Sequence, residues 1–499
     1  MNLMSKSTHR LTGINTGARS GLALSGASRP RLKTRGLAPS NGSLLRIGFV
    51  CLLLLLVFVS SLEAGIGDRV AETVLSNGLK VILLENHKAP LVTFQVWYRV
   101  GSRNEAWEKT GLSHMLEHMM FKGTEKYGPE EYSRIIQENG GNNNAFTSRD
   151  YTAYYATLSS DRVQVVIDLE SDRMQNLLLK EEDFRTEKMV VMEERRLRTE
   201  DSPIAYLHEQ LEATVFQVQP YHWPIIGWME DLRRLTLEDL KTYYKTYYNP
   251  ANAFIVAVGD FKKNELLPRI ERAFGSLPKG IPPEQKKPFD PPQIGERRVS
   301  VNKEAQLPYL AMGYRVPNLE EPDSYVLEVI ATILSGGKSS RLYQSLVREK
   351  RLAFGADADN SLLSKDPSLF YLDANPLPGK EVSEAEKALN QEVERLQNER
   401  VGEKELEKAK NQLESSFTYA QDSLFYQAML IARNEICSGW RKLDDYLPST
   451  RKVSPEDIQR VAKRYLIPEN RTIGILIPLP PKEGKPLPEE PSGRGDIVR

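Results

Sequence analysis

Apolar and polar positions first alternate from Thr73 onward. Thr73-Val74-Leu75 and Leu79-Lys80-Val81-Ile82-Leu83-Leu84 flank Asn77-Gly78, a dipeptide suited to the left-handed backbone of a tight turn, so a hairpin is expected. A third strand is expected over 91–100. The period then changes. Met115, Leu116, Met119, Met120 and Phe121 make the next stretch apolar nearly all round, which predicts a buried helix. A short helix near Pro129 to Glu138, the pair Gly140-Gly141, and strands over 142–148 and 151–157 follow. Amphipathic helices are expected over 161–179 and 181–199. Strands in meander with helices grouped between them predict an α+β fold, each sheet antiparallel with helices packed on it, and not a doubly wound parallel sheet.

One pattern occurs twice. Leu235-Thr236-Leu237-Glu238-Asp239-Leu240 opens a helix through a Thr236/Asp239 capping box, and Tyr248-Asn249-Pro250-Ala251-Asn252 leads on into a strand over 253–258. Val453-Ser454-Pro455-Glu456-Asp457-Ile458 opens a second such helix, and Tyr465-Leu466-Ile467-Pro468-Glu469-Asn470 leads into a strand over 472–477. Each residue of the second copy lies 218 positions after the first, which predicts two homologous halves. The expected domains are 68–281 and 297–478, joined by a linker over 282–296 whose proline-rich start, Pro282 to Pro292, is semi-rigid. The tail, 479–499, is rich in Pro, Lys and Glu and is expected to be disordered.

Charge narrows the function. Lys+Arg and Asp+Glu balance at 67 each, which gives no footing for nucleic acid. The first 46 residues hold no acidic residue and lead into an apolar run over 47–59. Thirteen residues suit the core of a signal peptide better than a bilayer span. Residues 1–64 are therefore expected to be a signal peptide cleaved near Ala64 or, alternatively, a retained membrane anchor, and the rest of the chain to be exported to the periplasm. Of the two cysteines, Cys51 lies in that run and Cys437 reads as a small buried hydrophobe.

The chemistry sits in the apolar helix. Two of the six histidines, His114 and His118, are four apart with Glu117 beside them. On a helix these three share a face, so two imidazoles can hold one ion while the carboxylate serves as a base and a position stays open for water. Two imidazoles and a carboxylate in a buried helix are expensive unless a cation compensates them. A third ligand is sought on the helix from Glu181. Glu187, Val190, Val191 and Glu194 fall on one face, whereas Glu193 points away. Shifted by 218, the motif lands on Thr332, Ser335 and Gly336, so the second half lacks the ligands.

His114-Met115-Leu116-Glu117-His118, with Glu194 76 positions after His118 and Glu187 seven before Glu194, resembles the pitrilysin/insulinase family of inverted-motif zinc peptidases, near the mitochondrial processing peptidase β branch. Gly140 to Thr147 and Tyr221 to Gly227 belong to the same resemblance. It implies one zinc per chain on His114, His118 and Glu194, Glu117 as the base, and Glu187 as an outer carboxylate. Asn144 and Ala145 would begin an edge strand beside the metal, along which an extended peptide or unfolded protein adds. The rival reading is a silent peptidase-like subunit that only binds peptides. Active members working as one chain or an identical pair carry an Arg and a Tyr seven positions apart in the second half. Here Phe354 and Val347 stand at that spacing, Arg348 is one position off, and Arg341 and Tyr343 lie nearby. The expectation is a heterodimer whose second peptidase-like chain supplies the Arg and Tyr. His208 and His222 are expected to be surface or core residues.

Overall fold

The computed structural model describes residues 66–285 and 287–480. The segment expected to be a signal peptide or anchor and residues 481–499 of the expected tail lie outside the described residues, and the tail's expected first residue, Leu479, instead ends the last strand, paired with Glu304. In the first half, strands β1 (Val70–Val74), β2 (Lys80–Glu85) and β3 (Leu91–Tyr98) precede helix α1 (Leu112–Met119), and α2 (Glu131–Glu138) precedes β4 (Asn142–Thr147) and β5 (Thr152–Ser159). Helices α3 (Val163–Asn176), α4 (Glu181–Arg195), α5 (Pro203–Val215) and α6 (Leu237–Tyr247) lead to β6 (Ala253–Gly259). The second half runs β7 (Arg297–Glu304), β8 (Tyr309–Val316), α7 (Asp323–Ser335), β9 (Ala353–Asn360) and β10 (Ser368–Pro376). It continues through α8 (Val382–Asn398), α9 (Glu403–Ala420), α10 (Leu424–Cys437) and α11 (Pro455–Tyr465) to β11 (Arg471–Leu479).

The first sheet is ordered β1-β2-β6-β3-β5-β4 and the second β7-β11-β8-β10-β9, the same order apart from the extra β1. Both are antiparallel except for one parallel pair each, β2 with β6 and β7 with β11. Those pairs join the last strand of each half to an early one, the second strand in the first half and the first in the second, which meander pairing cannot supply. The 218-residue offset holds to the residue for β3 and β8 and for α6 and α11. Both repeat helices carry the expected reciprocal caps. Thr236 Oγ1 accepts the Asp239 N–H at 3.2 Å while Asp239 accepts the Thr236 N–H at 3.1 Å, and Ser454 and Asp457 do the same at 3.1 Å each. At the first hairpin Gly78 takes φ +90°, which a side chain would resist.

Each half lends a helix to the other. One face of the first sheet packs on its own helices, with Phe94, Val96 and Tyr98 against Met115, Leu116 and Met119 of α1. The opposite face, with Ile82, Leu84, Trp97, Phe254 and Val256, is covered by Ala428, Ile431 and Ala432 of α10 from the second half. Reciprocally, Leu207, Leu211 and Val215 of α5 from the first half cover Val301, Ala311, Leu369 and Leu476 of the second sheet. Gly313 and Gly474 make room for this: a Cβ at either would come within 3.1 Å of a Leu211 methyl. Polar ties reinforce the join. Arg103 meets Asp366 through Nε at 3.0 Å and Nη2 at 2.5 Å, and the Tyr221 hydroxyl donates to Asp150 at 2.6 Å while accepting the Asp366 N–H at 3.2 Å. The segment between the halves is pinned as well, because the buried Asp290 accepts the N–H groups of Gln217, Val218 and Gln219 at 2.9, 2.6 and 3.3 Å.

Leu211 belongs to one half by sequence and to the other by packing. Leu211→Ala is therefore expected to destabilise by about 2–5 kcal/mol and to shift both halves together. In urea unfolding, tryptophan fluorescence and far-UV circular dichroism should move together to a lower midpoint as one transition. Two separated transitions would mean that the exchanged helices do not couple the halves.

Candidate metal centre

Helix α1 starts without a side-chain cap at its own N-cap, Gly111, which sits at φ +90° where a Cβ would strike the Ile226 carbonyl at 2.6 Å. Glu105 replaces the cap from the preceding loop. Its two carboxyl oxygens accept the Gly111 and Ser113 N–H groups at 2.7 Å each, placing acceptors on the unpaired N–H groups at the start of the helix. Burial pushes this carboxyl up to about 8 despite the two N–H groups that favour its charge. The Ser113 hydroxyl, 2.7 Å from the Tyr243 hydroxyl, fixes the next position. The sequence reading missed Glu105; an acid six residues before a glycine has no local periodicity to mark it.

The structure brings the sequence-selected residues together. His114 Nε2 lies 3.7 Å and His118 Nε2 3.3 Å from the same oxygen, Glu194 Oε2. All three ligand atoms fall within 4.8 Å of one another. Donors about 2.0–2.1 Å from a tetrahedral zinc stand roughly 3.4 Å apart, so the set fits zinc. Glu187 Oε2 meets the other ring nitrogen of His118 at 3.1 Å, and its Oε1 meets Lys122 at 2.6 Å. A carboxylate behind an imidazole fixes the ring and raises its basicity. Arg198 pairs with the second Glu194 oxygen at 2.9 Å.

Glu117 lies near enough to His118 and Glu194 for their charges to act on it, and the Thr147 hydroxyl at the end of β4 donates to its Oε2 at 2.5 Å. Burial pushes the Glu117 carboxyl up, against the lowering effect of that hydrogen bond and of His118. Burial pushes His114 down to about 3, the neutral form a metal requires. Burial also disfavours a charged His118, but hydrogen bonds to Glu187 and Glu194 outweigh it and bring the imidazole to about 9. Glu194 is held at about 2: burial opposes its charge, and the His118 hydrogen bond together with His114 and Arg198 overcomes it. The cluster thus concentrates carboxylate charge where a cation belongs.

Val190 departs from the expected inward stripe, being 45% exposed. The buried line of α4 runs through Phe184, Glu187, Val191 and Arg195, so Val190 lies off that line toward solvent. Glu193 points outward, as expected, with its side chain 57% exposed and paired to Arg196. Ala145 is buried and Asn144 exposed on β4, which ends the sheet. His222 is buried against the Gln219 carbonyl and His208 lies beside Tyr309 and Tyr371, neither in the cluster. Burial pushes the Cys437 thiol up to about 12, consistent with an inert core position.

A duplicated α+β scaffold with a His/His/Glu donor set on its first copy defines a protein of the zinc-peptidase kind. The insulinase (peptidase family M16) model matches residues 80–227 and the peptidase M16 inactive-domain model residues 234–413. The chain is 35% identical to the zinc protease PqqE of Helicobacter pylori over 411 residues, covering 81% of this chain and 92% of that protein. It is 28% identical to a probable mitochondrial-processing peptidase subunit beta of Arabidopsis thaliana, over 82% of this chain and 78% of the relative. The crystal structure of a protease from Helicobacter pylori superposes with a TM-score of 0.79 at 33% identity, covering 82% of this chain and 99% of that one. The chain belongs to the insulinase, or M16, peptidase family.

Glu194→Gln should weaken zinc binding severely in a chelator competition, whereas Glu193→Gln should leave it unchanged. Glu187→Gln is expected to cost about 10–100-fold in zinc affinity through loss of the contact behind His118. Equal losses for Glu193 and Glu194 would exclude the assignment.

Proposed function

We propose that this chain is a zinc-dependent endopeptidase acting on extended or unfolded peptides. What supports the reading most is the Glu117 carboxylate, held by Thr147 beside the converging nitrogens of His114 and His118 and the Glu194 carboxylate. Zinc on these three ligands would acidify a water in its open position to about 7 and polarise a peptide carbonyl. Thr147 occupies one oxygen of Glu117, so the other is the one that accepts a proton from the attacking water and passes it to the departing amine. Burial favours that transfer by raising the basicity of the carboxylate. Strand β4 ends its sheet, and on its outer side it has no strand partner among the described residues, so a substrate can add there through main-chain hydrogen bonds, with Asn144 and Ala145 alongside.

At Arg341, Arg348 and Phe354 the second half offers no free guanidinium or phenol to the reacting carbonyl. Arg341 is forked onto Glu405 at 2.8 and 2.7 Å, Arg348 is exposed and bonded to Gln344, and Phe354, 56% exposed, carries no hydroxyl. This favours a heterodimer in which a second peptidase-like chain brings the guanidinium and the phenol that would stabilise the developing oxyanion. Export to the periplasm, with the segment 47–59 as signal or anchor, belongs to the same reading. No helix of the described residues is long and apolar enough to cross a membrane.

Glu117→Gln is the decisive variant. Peptide cleavage should fall by about 10²–10⁴-fold with zinc content unchanged by metal analysis. Undiminished cleavage would remove Glu117 as the base, and a zinc-loaded protein that binds but never cuts peptides would favour the silent-subunit reading. For the heterodimer, the chain alone should bind zinc yet cleave weakly. Full activity of the chain alone, unaltered in Arg341→Ala and Tyr343→Phe, would overturn the partner.

A further inference from the structure

Strand β4 presents two faces to anything that adds beside it. Thr147 and Ala145 lie on the metal side: the Thr147 hydroxyl touches Glu117, and Ala145 belongs to the core shared with α1. Phe146 lies on the other face, with its ring 5.5 Å from Trp97, in the core that α10 covers. Asn144 shares that face. It stands opposite Tyr155 in the β4/β5 register. Above Tyr155 sits the first turn of α10, which the second half sends across. Phe425 packs on the Tyr155 ring at 4.6 Å, Tyr426 follows at 5.4 Å from Phe425, and Tyr426 is 54% exposed. Two contacts hold this turn in place. The Ser423 hydroxyl caps the helix by accepting the Tyr426 N–H at 3.4 Å, and Gln95 Nε2 donates to the Phe425 carbonyl at 3.5 Å.

We propose that Tyr155, Phe425 and Tyr426 form a specificity-determining aromatic wall for substrate side chains that face away from the metal. The inference rests on the peptidase reading and extends it to substrate class. A peptide paired with β4 alternates its side chains as β4 does, so every second residue turns to the metal side and the residues between turn to the Asn144 face. The partly exposed ring of Tyr426, backed by Phe425 and Tyr155, meets those intervening residues. Its edge and face suit an aromatic side chain in tilted or edge-on contact. The substrates selected are therefore extended segments with an aromatic residue on the side opposite the scissile carbonyl. The first half supplies the chemistry and the second half reads the sequence, through the helix it exchanges.

The test uses the zinc-loaded full chain and a set of extended peptides differing only by Phe or Ala at successive positions around the cleavage point. Binding is read by fluorescence anisotropy on the Glu117→Gln protein, and kcat/KM on the unsubstituted one. Phe is expected to be preferred about three- to tenfold, at positions two apart and not at those between. Tyr426→Ala should abolish the preference and Tyr426→Phe, which keeps the ring, should retain it, with zinc content equal in all. A preference that persists in Tyr426→Ala, or one without the two-residue period, overturns the wall while leaving the peptidase reading intact. Failure of every peptide either to bind or to be cut overturns both.

Discussion

A sheet has two faces, and in this protein each half can cover only one of its own. The uncovered face carries Trp97, Phe254 and Val256 in the first half and Ala311, Leu369 and Leu476 in the second, all buried residues that water would otherwise meet. Burying each large side chain is worth roughly 1.5–3 kcal/mol, so neither half is expected to stand alone. The exchanged helices α5 and α10 solve both problems at once. Because α5 follows α4 directly, the helix bearing Glu187 and Glu194 is clamped between its own domain and the neighbouring one. The Arg195–Glu209 pair, at 2.9 and 3.0 Å, locks that junction in a buried setting.

Much of this was legible from residue patterns. The hairpin at Asn77-Gly78, the two capping boxes and the 218-residue offset are local or periodic signals, and they appear where the periodicity puts them. His114, Glu117 and His118 were legible because helical spacing alone brings them to one side. Glu194 needed a second helix: periodicity set it apart from Glu193 but left it beside Glu187, and only the family resemblance gave the two carboxylates different roles. The reading of Val190 failed for a related reason. A line of i, i+3 and i+7 residues marks a face but not which edge of it meets solvent, and here the line from Glu187 through Val190 to Glu194 runs along the boundary of the buried stripe.

What could not be read is what depends on non-local pairing. The one parallel pair in each sheet, the capping of α1 by Glu105, the hold of Thr147 on Glu117 and the crossing of α5 and α10 all join residues without a shared period. Glu105 and Thr147 flank the metal motif in sequence, but their function lies in the atoms they reach. One aligns the helix that carries both histidines and the other turns the carboxylate beside them.

The second half provides an internal comparison for the cost of the first. At the position of Glu194 stands Gln412, whose amide donates to the Gly336 carbonyl at 3.0 Å where the first half has His118. Ser335, in place of Glu117, donates to the Ala358 carbonyl at 2.9 Å. Glu405, in place of Glu187, has its carboxyl held below the usual range by the Arg341 fork. On one scaffold, then, the same positions are filled once by neutral groups and a closed ion pair, and once by two imidazoles and three carboxylates crowded together. The neutral set shows that the fold does not need the charged one. Crowded carboxylates in a buried site are unfavourable unless a cation gathers them, so their presence in the first half alone supports the metal-dependent reading proposed for it.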